Sequence, residues 1–276
     1  MGRIVTRRPV TRVVVGEAPR RRPDALAVEE PLEIRVGGEV FAVTMRTPGH
    51  DVELATGFLL SEGILRRADD IAAAIHCGGP GTGGEGNTYN VLDVTLAADA
   101  PRPAEGAARR TYTTSSCGVC GTASIEAVRT ASPFDVAGDA SRVSAAAIAQ
   151  MPPVLRGAQA AFDKTGGIHA AALFDVASGE MVALREDVGR HNAVDKVLGW
   201  AAMNGCLPLG GHALMVSGRV AFEIVQKAFV AGVPIVAAVS APTSLAVELA
   251  EEAGMTLVGF VRGDTMNVYA GAHRVA

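Results

Sequence analysis

Residues 213–261 read ALMVSGRVAFEIVQKAFVAGVPIVAAVSAPTSLAVELAEEAGMTLVGFV. Two periodicities alternate in this stretch. Ala213-Leu214-Met215-Val216 is a short apolar run of strand type, and Val220 to Val230 repeats at helical spacing and stops at Gly232. Pro234 to Val239 is a second strand, Thr243 to Ala253 a second helix closed by Gly254, and Thr256 to Val261 a third strand. Two successive strand–helix–strand units predict parallel strands joined by right-handed crossovers, and hence an α/β layer fold.

The same grammar extends upstream. Ile168 to Phe174 is strand-like, Met181 to Leu184 pairs with it through a turn at Ser178-Gly179, and Asp187 is the expected N-cap of a helix running to about Met203. Before Arg110 the pattern differs. Leu32 to Val36, the turn Gly37-Gly38 and Phe41 to Met45 predict a hairpin. A helix is expected from Asp51 and a strand over 90–96. Ala97 to Arg110, rich in alanine, proline and charge, is the expected linker. The predicted organisation is therefore a basic, poorly ordered tail over 1–28, a smaller α+β region over 29–110, and a mainly parallel α/β domain over 111–276.

Composition narrows the function. The longest apolar run, Val233 to Val239 plus Ala241, is far short of the roughly 20 residues that cross a bilayer. Seven arginines fall in the first 22 residues with no apolar segment behind them, so no secretory signal is expected. Net charge is −4, and three tyrosines and one tryptophan are too few for a base-stacking surface, so neither nucleic acid nor membrane is an expected partner. Four cysteines make no disulfide scaffold, and the expected compartment is the reducing cytoplasm.

In a parallel sheet, ligands bind beyond the carboxyl ends of the strands, where helix N-termini also point. Those ends read Ser217-Gly218-Arg219, Ser240-Ala241-Pro242-Thr243-Ser244 and Arg262-Gly263-Asp264. Hydroxyls, helix N-termini and two arginines suit a ligand with more than one phosphate, and Asp264 suits the N–H edge of a base such as guanine. The stretch Glu186 to Asn192 adds His191 at a helix start, spaced to pair with Asp195, and Gly166-Gly167 precedes His169 in a strand. No phosphate loop or dinucleotide fingerprint is present.

Cys117-Gly118-Val119-Cys120 leaves three chemistries open. Structural zinc needs further ligands that the spacing does not supply. A redox disulfide and a persulfide relay both fit, since both need an accessible thiolate on a permissive backbone.

Five blocks in order carry a resemblance. SSCGVCGTASIE (115–126), TGGIHAAAL (165–173), EDVGRHNAVDKVLG (186–199), SGRVAFEIVQKA (217–228) and GFVRGDTMNVY (259–269) resemble the FdhD family of formate dehydrogenase accessory proteins. The segment EEPLEIRVGGEVFAVTMRTPGHDVELATGFLLSEGI (29–64) fits it too. The resemblance implies a sulfurtransferase that takes sulfur from a cysteine desulfurase and delivers it to the molybdenum bis-guanine-dinucleotide cofactor of formate dehydrogenase. It implies that Cys117 carries the persulfide, that Cys120 assists, and that Phe260, Val261, Arg262, Gly263, Asp264 and Thr265 belong to the cofactor-binding segment. The cofactor is then a bound substrate, and no resident metal is expected. Ser217, Gly218 and Arg219 join that site from the strand-end argument, with Arg219 and Arg262 on phosphates and His191 orienting phosphate or donating a proton. A ligand with two equivalent halves makes a homodimer the expected assembly. The resemblance also implies a three-layer, cytidine-deaminase-like fold for the larger domain. Deaminase chemistry itself is disfavoured, because Ala171 stands where the HxE glutamate belongs and Ser116 where proline precedes the CxxC. The competing readings are a non-catalytic cofactor chaperone and a thiol oxidoreductase.

Overall fold

The computed structural model describes residues 4–77, 89–101 and 132–276. In chain order the elements begin with β1 (Val5–Arg12), β2 (Arg20–Ala27), β3 (Glu30–Val36), β4 (Glu39–Arg46), α1 (Asp51–Ser61), β5 (Ile71–His76) and β6 (Val91–Leu96). Then come α2 (Ala145–Ala158), α3 (Ala160–Thr165), β7 (His169–Asp175), β8 (Met181–Asp187), α4 (Arg190–Met203) and β9 (His212–Val216). The chain finishes with α5 (Phe222–Val230), β10 (Ile235–Ala238), α6 (Ser244–Glu252), β11 (Thr256–Arg262) and β12 (Thr265–Ala270). None of the helices among the described residues is long and apolar enough to cross a membrane.

The larger sheet has the order β12-β11-β10-β9-β7-β8. β9, β10 and β11 are parallel, as the opening stretch predicts. The sheet as a whole is mixed rather than mainly parallel, because β7 runs antiparallel to both β9 and β8, and β12 antiparallel to β11. Short returns account for the β7–β8 and β11–β12 pairs, since the turns at Ser178-Gly179 and Gly263-Asp264 reverse the chain in a few residues, too few for a parallel crossover, whereas β7 meets β9 across the intervening β8 and α4. Both faces are buried, which explains the unbroken apolar runs of the central strands. Leu173, Leu214, Val216 and Val236 share a core with α4, α5 and α6, while Phe174, Met215 and Ile235 face Ile148, Met151 and Leu155 of α2.

The smaller sheet, β4-β3-β6-β5, contributes Leu32, Ile34 and Leu92 to the first of these cores. Gly37 and Gly38 both have positive φ, the requirement of the tight hairpin turn between β3 and β4. The two regions meet where α1 lies antiparallel against α4. A Cβ on Gly57 would stand 1.9 Å from the Asp195 carbonyl oxygen, and one on Gly199 would stand 1.9 Å from that of Glu53. Only glycine permits backbones to approach that closely. The boundary expected at 110/111 lies outside the described residues.

Three further expectations are corrected. Residues 1–28 are not wholly a loose tail, since β1 and β2 pair over their full length from Val5↔Ala27 to Arg12↔Arg20. Charge count alone misleads there, because solvent screening keeps the repulsion among water-facing arginines small, and Val5, Thr6, Val10 and Thr11 favour extended backbone. The N-cap of α4 is Gly189, not Asp187. Asp187 is wholly buried and accepts from the amides of Gly189 and Thr47 instead. Asp195 does not pair with His191; it binds Lys227 Nζ at 2.8 Å and accepts from Ser61 Oγ at 3.1 Å.

Arg274 fastens the segment before α2. Buried, it donates to the carbonyls of Gly254 (2.7 Å), Val136 (3.1 Å), Ala137 (3.2 Å) and Asp139 (3.2 Å). With no carboxylate within ion-pair distance among the described residues, the guanidinium uses its fork of donors to gather backbone oxygens.

Candidate functional site at the carboxyl edge of the large sheet

The strand ends converge as the parallel core requires. Ser217 follows β9, donates its amide to the Ala170 carbonyl at 3.0 Å, and accepts at Oγ from the Ala170 amide at 2.9 Å. Val239 and Ser240 follow β10; the Ser240 carbonyl accepts from Phe260 N at 3.1 Å. Arg262, at the end of β11, donates from Nε to the Val239 carbonyl at 3.4 Å. Because β7 is antiparallel, its first residue, His169, arrives at this same edge.

Between this edge and the α2–α3 pair lies a cavity of about 700 Å³, within the range of small-molecule sites. Its walls include Arg156, Gln159, Phe162, His169, Ser217 and Val239. The Arg156 guanidinium stands 4.6 Å over the Phe162 ring and pairs with Asp163 at 2.6 Å. Gln159, at the joint of α2 and α3, is 3% exposed, and its Nε2 has no hydrogen-bond partner among the described residues. A buried amide donor without a partner costs roughly 1–3 kcal/mol, so a ligand acceptor would relieve it. Burial, and then the charge of Arg190, push the His169 pKa below its ordinary value against the opposing pull of Asp187. At neutral pH the ring is therefore an uncharged donor and acceptor. Arg190 reaches the neighbourhood from the first turn of α4: a Cβ on Gly218 would lie 3.3 Å from His169 Nδ1 and 3.9 Å from Arg190 Cδ. The buried Arg190 Nε also has no hydrogen-bond partner among the described residues. An apolar-walled cavity with unspent donors at one edge suits a planar group carrying an anionic tail.

The predicted residues divide. Ser217 lines the cavity and Gly218 lies beside it. Arg262 is exposed next to the lining residue Val239, its guanidinium 5.5 Å over the Phe260 ring. Phe260 has φ +53°, where the pairing of β11 with β12 shifts register. Val261 is buried in the core under α2, so only its backbone is offered to a ligand. Gly263, Asp264 and Thr265 form the exposed turn, where Thr265 Oγ1 donates to the Arg262 carbonyl at 3.0 Å, and Arg219 is exposed. His191 is not brought to the cavity. It lies on the α4–α5 side of the sheet, with Nε2 3.9 Å from Glu223. Cys117 and Cys120 lie outside the described residues.

Arg156, Gln159 and Phe162 are absent from the sequence reading because Pro152-Pro153 breaks the helical pattern of α2. A usable signal was present. Ser144 caps the helix by accepting from the Ala147 amide, and Ile148, Met151 and Leu155 recur at i, i+3 and i+7. Among the described residues no group of three or more His, Cys, Asp or Glu side chains converges to hold a metal ion.

Comparison with known proteins extends over nearly the whole chain. A protein from Mycolicibacterium paratuberculosis described as sulfur carrier protein FdhD is 58% identical over 272 residues, 99% of each chain. One of the same description from Streptomyces avermitilis is 54% identical over 277 residues, covering 100% of this chain and 97% of the relative. A crystal structure of a protein from Desulfotalea psychrophila, assigned as a formate dehydrogenase accessory protein, superposes with a TM-score of 0.74 over 99% of this chain and 100% of the other, at 22% identity. That likeness establishes the fold. The profile of the FdhD/NarQ family matches residues 27–276, and the chain belongs to that family.

Proposed function

We propose that this protein is a sulfur carrier serving formate dehydrogenase, with Cys117 as the carrier thiol. The observation that carries the reading is the 58% identity over 99% of both chains with a sulfur carrier protein. In this reading the Cys117 thiolate attacks the terminal sulfur of a cysteine desulfurase persulfide. One S–S bond breaks, one forms on Cys117, and the desulfurase cysteine leaves as thiolate. For delivery, Cys120 attacks the Cys117 sulfur and displaces the outer sulfur as sulfide. Its two electrons come from forming the Cys117–Cys120 disulfide, which a cytoplasmic thiol reductant then reopens.

The acceptor is the molybdenum bis-guanine-dinucleotide cofactor, bound as substrate. The cavity at the carboxyl edge supports docking of one guanine nucleotide arm, with Phe162 and Gln159 for the base and Arg156, Arg262 and the Ser217-Gly218 backbone for phosphate. A two-fold dimer would give each half of the cofactor its own cavity. The same reading treats the large sheet and its helices as a relative of the cytidine deaminase fold without its zinc chemistry. The three parallel strands beside an antiparallel neighbour, packed between helical layers, support this.

The test uses a desulfurase with free cysteine, read by intact-mass spectrometry. The wild-type chain should gain one sulfur atom, and Cys117→Ala should gain none while still binding guanosine diphosphate. Full formate dehydrogenase activity with Cys117→Ala would overturn the carrier role. Loss of two hydrogens from the wild-type chain without gain of sulfur would indicate a thiol oxidoreductase instead.

A further inference from the structure

The β1–β2 hairpin lies almost entirely outside the family match, which begins at residue 27. Only its base is covered. Val5, Thr6, Val10, Asp24, Ala25 and Ala27 are partly buried along the side where the strands meet α3, and residues 11–23 are exposed throughout. At the tip Val13 is 67% exposed and Val15 fully exposed. A two-stranded ribbon with water on both faces is marginal on its own, and this one exposes apolar side chains at its end.

Its charges are equally unspent. The register sets Arg12 directly opposite Arg20, and the same face carries Arg8 and Arg22. Like charges facing each other across a ribbon are destabilising. Glu17 and Asp24 answer only Arg20 (3.7 Å) and Arg22 (3.6 Å), while Arg7, Arg8, Arg12 and Arg21 have no carboxylate within ion-pair distance among the described residues. With seven arginines against those two carboxylates, residues 1–28 are net +5, which leaves −9 on the rest of a chain whose formal charge is −4. The complement of the arm is thus on the body of the same sequence. On that body α6 presents exposed Glu248 and Glu251, beside Leu245 at 44% exposure. The exposure of both the arm tip and this helix face shows that they do not meet within one chain.

We propose that the β1–β2 arm of one copy docks on α6 of a second copy, reciprocally, its arginines on the glutamates and its valine tip against Leu245. A reciprocal contact of this kind closes as a two-fold dimer. The arm's base rests on α3, which supplies Phe162 to the cavity, so docking would brace that wall in each subunit. The proposal stands on observations separate from the carrier role of Cys117, and its failure would leave that role intact.

Sedimentation velocity of the full chain tests it at about 0.05 M and about 1 M salt, since screening shortens from beyond 10 Å to about 3 Å across that range. Three variants accompany the wild type: Arg12→Glu/Arg20→Glu/Arg22→Glu, Glu248→Lys/Glu251→Lys, and the two combined. All five positions are exposed, and Trp200 fluorescence verifies folding. The wild type should dimerise with salt-sensitive affinity. Each charge reversal should weaken association at least about tenfold, and the combination should recover it. A monomeric wild type overturns a second copy as the occupant. A dimer indifferent to the arm variant overturns the arm, and failure of the combined variant to recover overturns α6 as its seat.

Discussion

Replacing Asp187 by Asn tests whether the buried polar network behind the site holds the two regions together. Asp187 is wholly buried, with Lys196 Nζ at 2.7 Å and the Lys196 side chain 1% exposed. It also accepts from the amides of Thr47 (3.1 Å) and Gly189 (2.8 Å) and from Asn192 Nδ2 (3.2 Å), while Lys196 donates to the Thr47 carbonyl at 2.8 Å. Burial pushes the Asp187 carboxyl up, and the charge and hydrogen bond of Lys196 pull it back. Asparagine keeps the shape but removes the charge and points an amide donor at other donors. A buried ammonium left without its anion costs about 3–5 kcal/mol, a large share of a total stability of about 5–15 kcal/mol. The assay is urea unfolding followed by Trp200, the single tryptophan, which sits in α4 itself. Asp187→Asn should lower the midpoint without changing the slope. Adding Lys196→Met should recover about 2 kcal/mol relative to additivity, because the stranded charge is gone. A single-variant loss below about 1 kcal/mol, or strict additivity in the double, would refute the claim that this pair pins β4 and β8 to α4.

Three further predictions concern the same scaffold. Gly199→Ala should lose about 2 kcal/mol net despite the better helix propensity of alanine, because its Cβ meets Glu53 backbone at 1.9 Å; Gly157→Ala in α2, with nothing within 4 Å, should be neutral or stabilising in the same unfolding assay. Arg274→Met keeps the aliphatic stem but strands four carbonyls, and should cost about 3 kcal/mol with faster hydrogen exchange at the amides of Val143 and Ala145. Burial would raise the Glu53 carboxyl, but hydrogen bonds from Arg185 and His50 outweigh it and hold it at about 2. That lies below the unfolded value of about 4.3, so the stabilisation is complete above about pH 4.3 and is lost as pH falls toward 2. Glu53→Gln should flatten that part of the stability profile, and parallel curves for variant and wild type would count against the Arg185 clamp.

The parallel core over 213–261 and the β3–β4 hairpin were legible because their side-chain periods report local burial directly. The five family blocks were legible because motif spacing survives any packing. The sequence alone therefore determined the strand–helix grammar, the glycine turn at 37–38 and the order of the strand ends. Tertiary structure decided the rest. The direction of β7 depends on which strand it meets across some 40 residues, and no local period encodes that choice. His191 and Arg190 are neighbours in sequence, yet helical geometry turns one to Glu223 and the other toward His169. Gln159 acquires significance only because the proline-bearing helix α2 closes over the strand ends and leaves its Nε2 unanswered among the described residues. The pairings of Asp187 with Lys196 and Asp195 with Lys227 arise from elements packing in three dimensions, since a buried charge selects whichever opposite charge shares its dry environment.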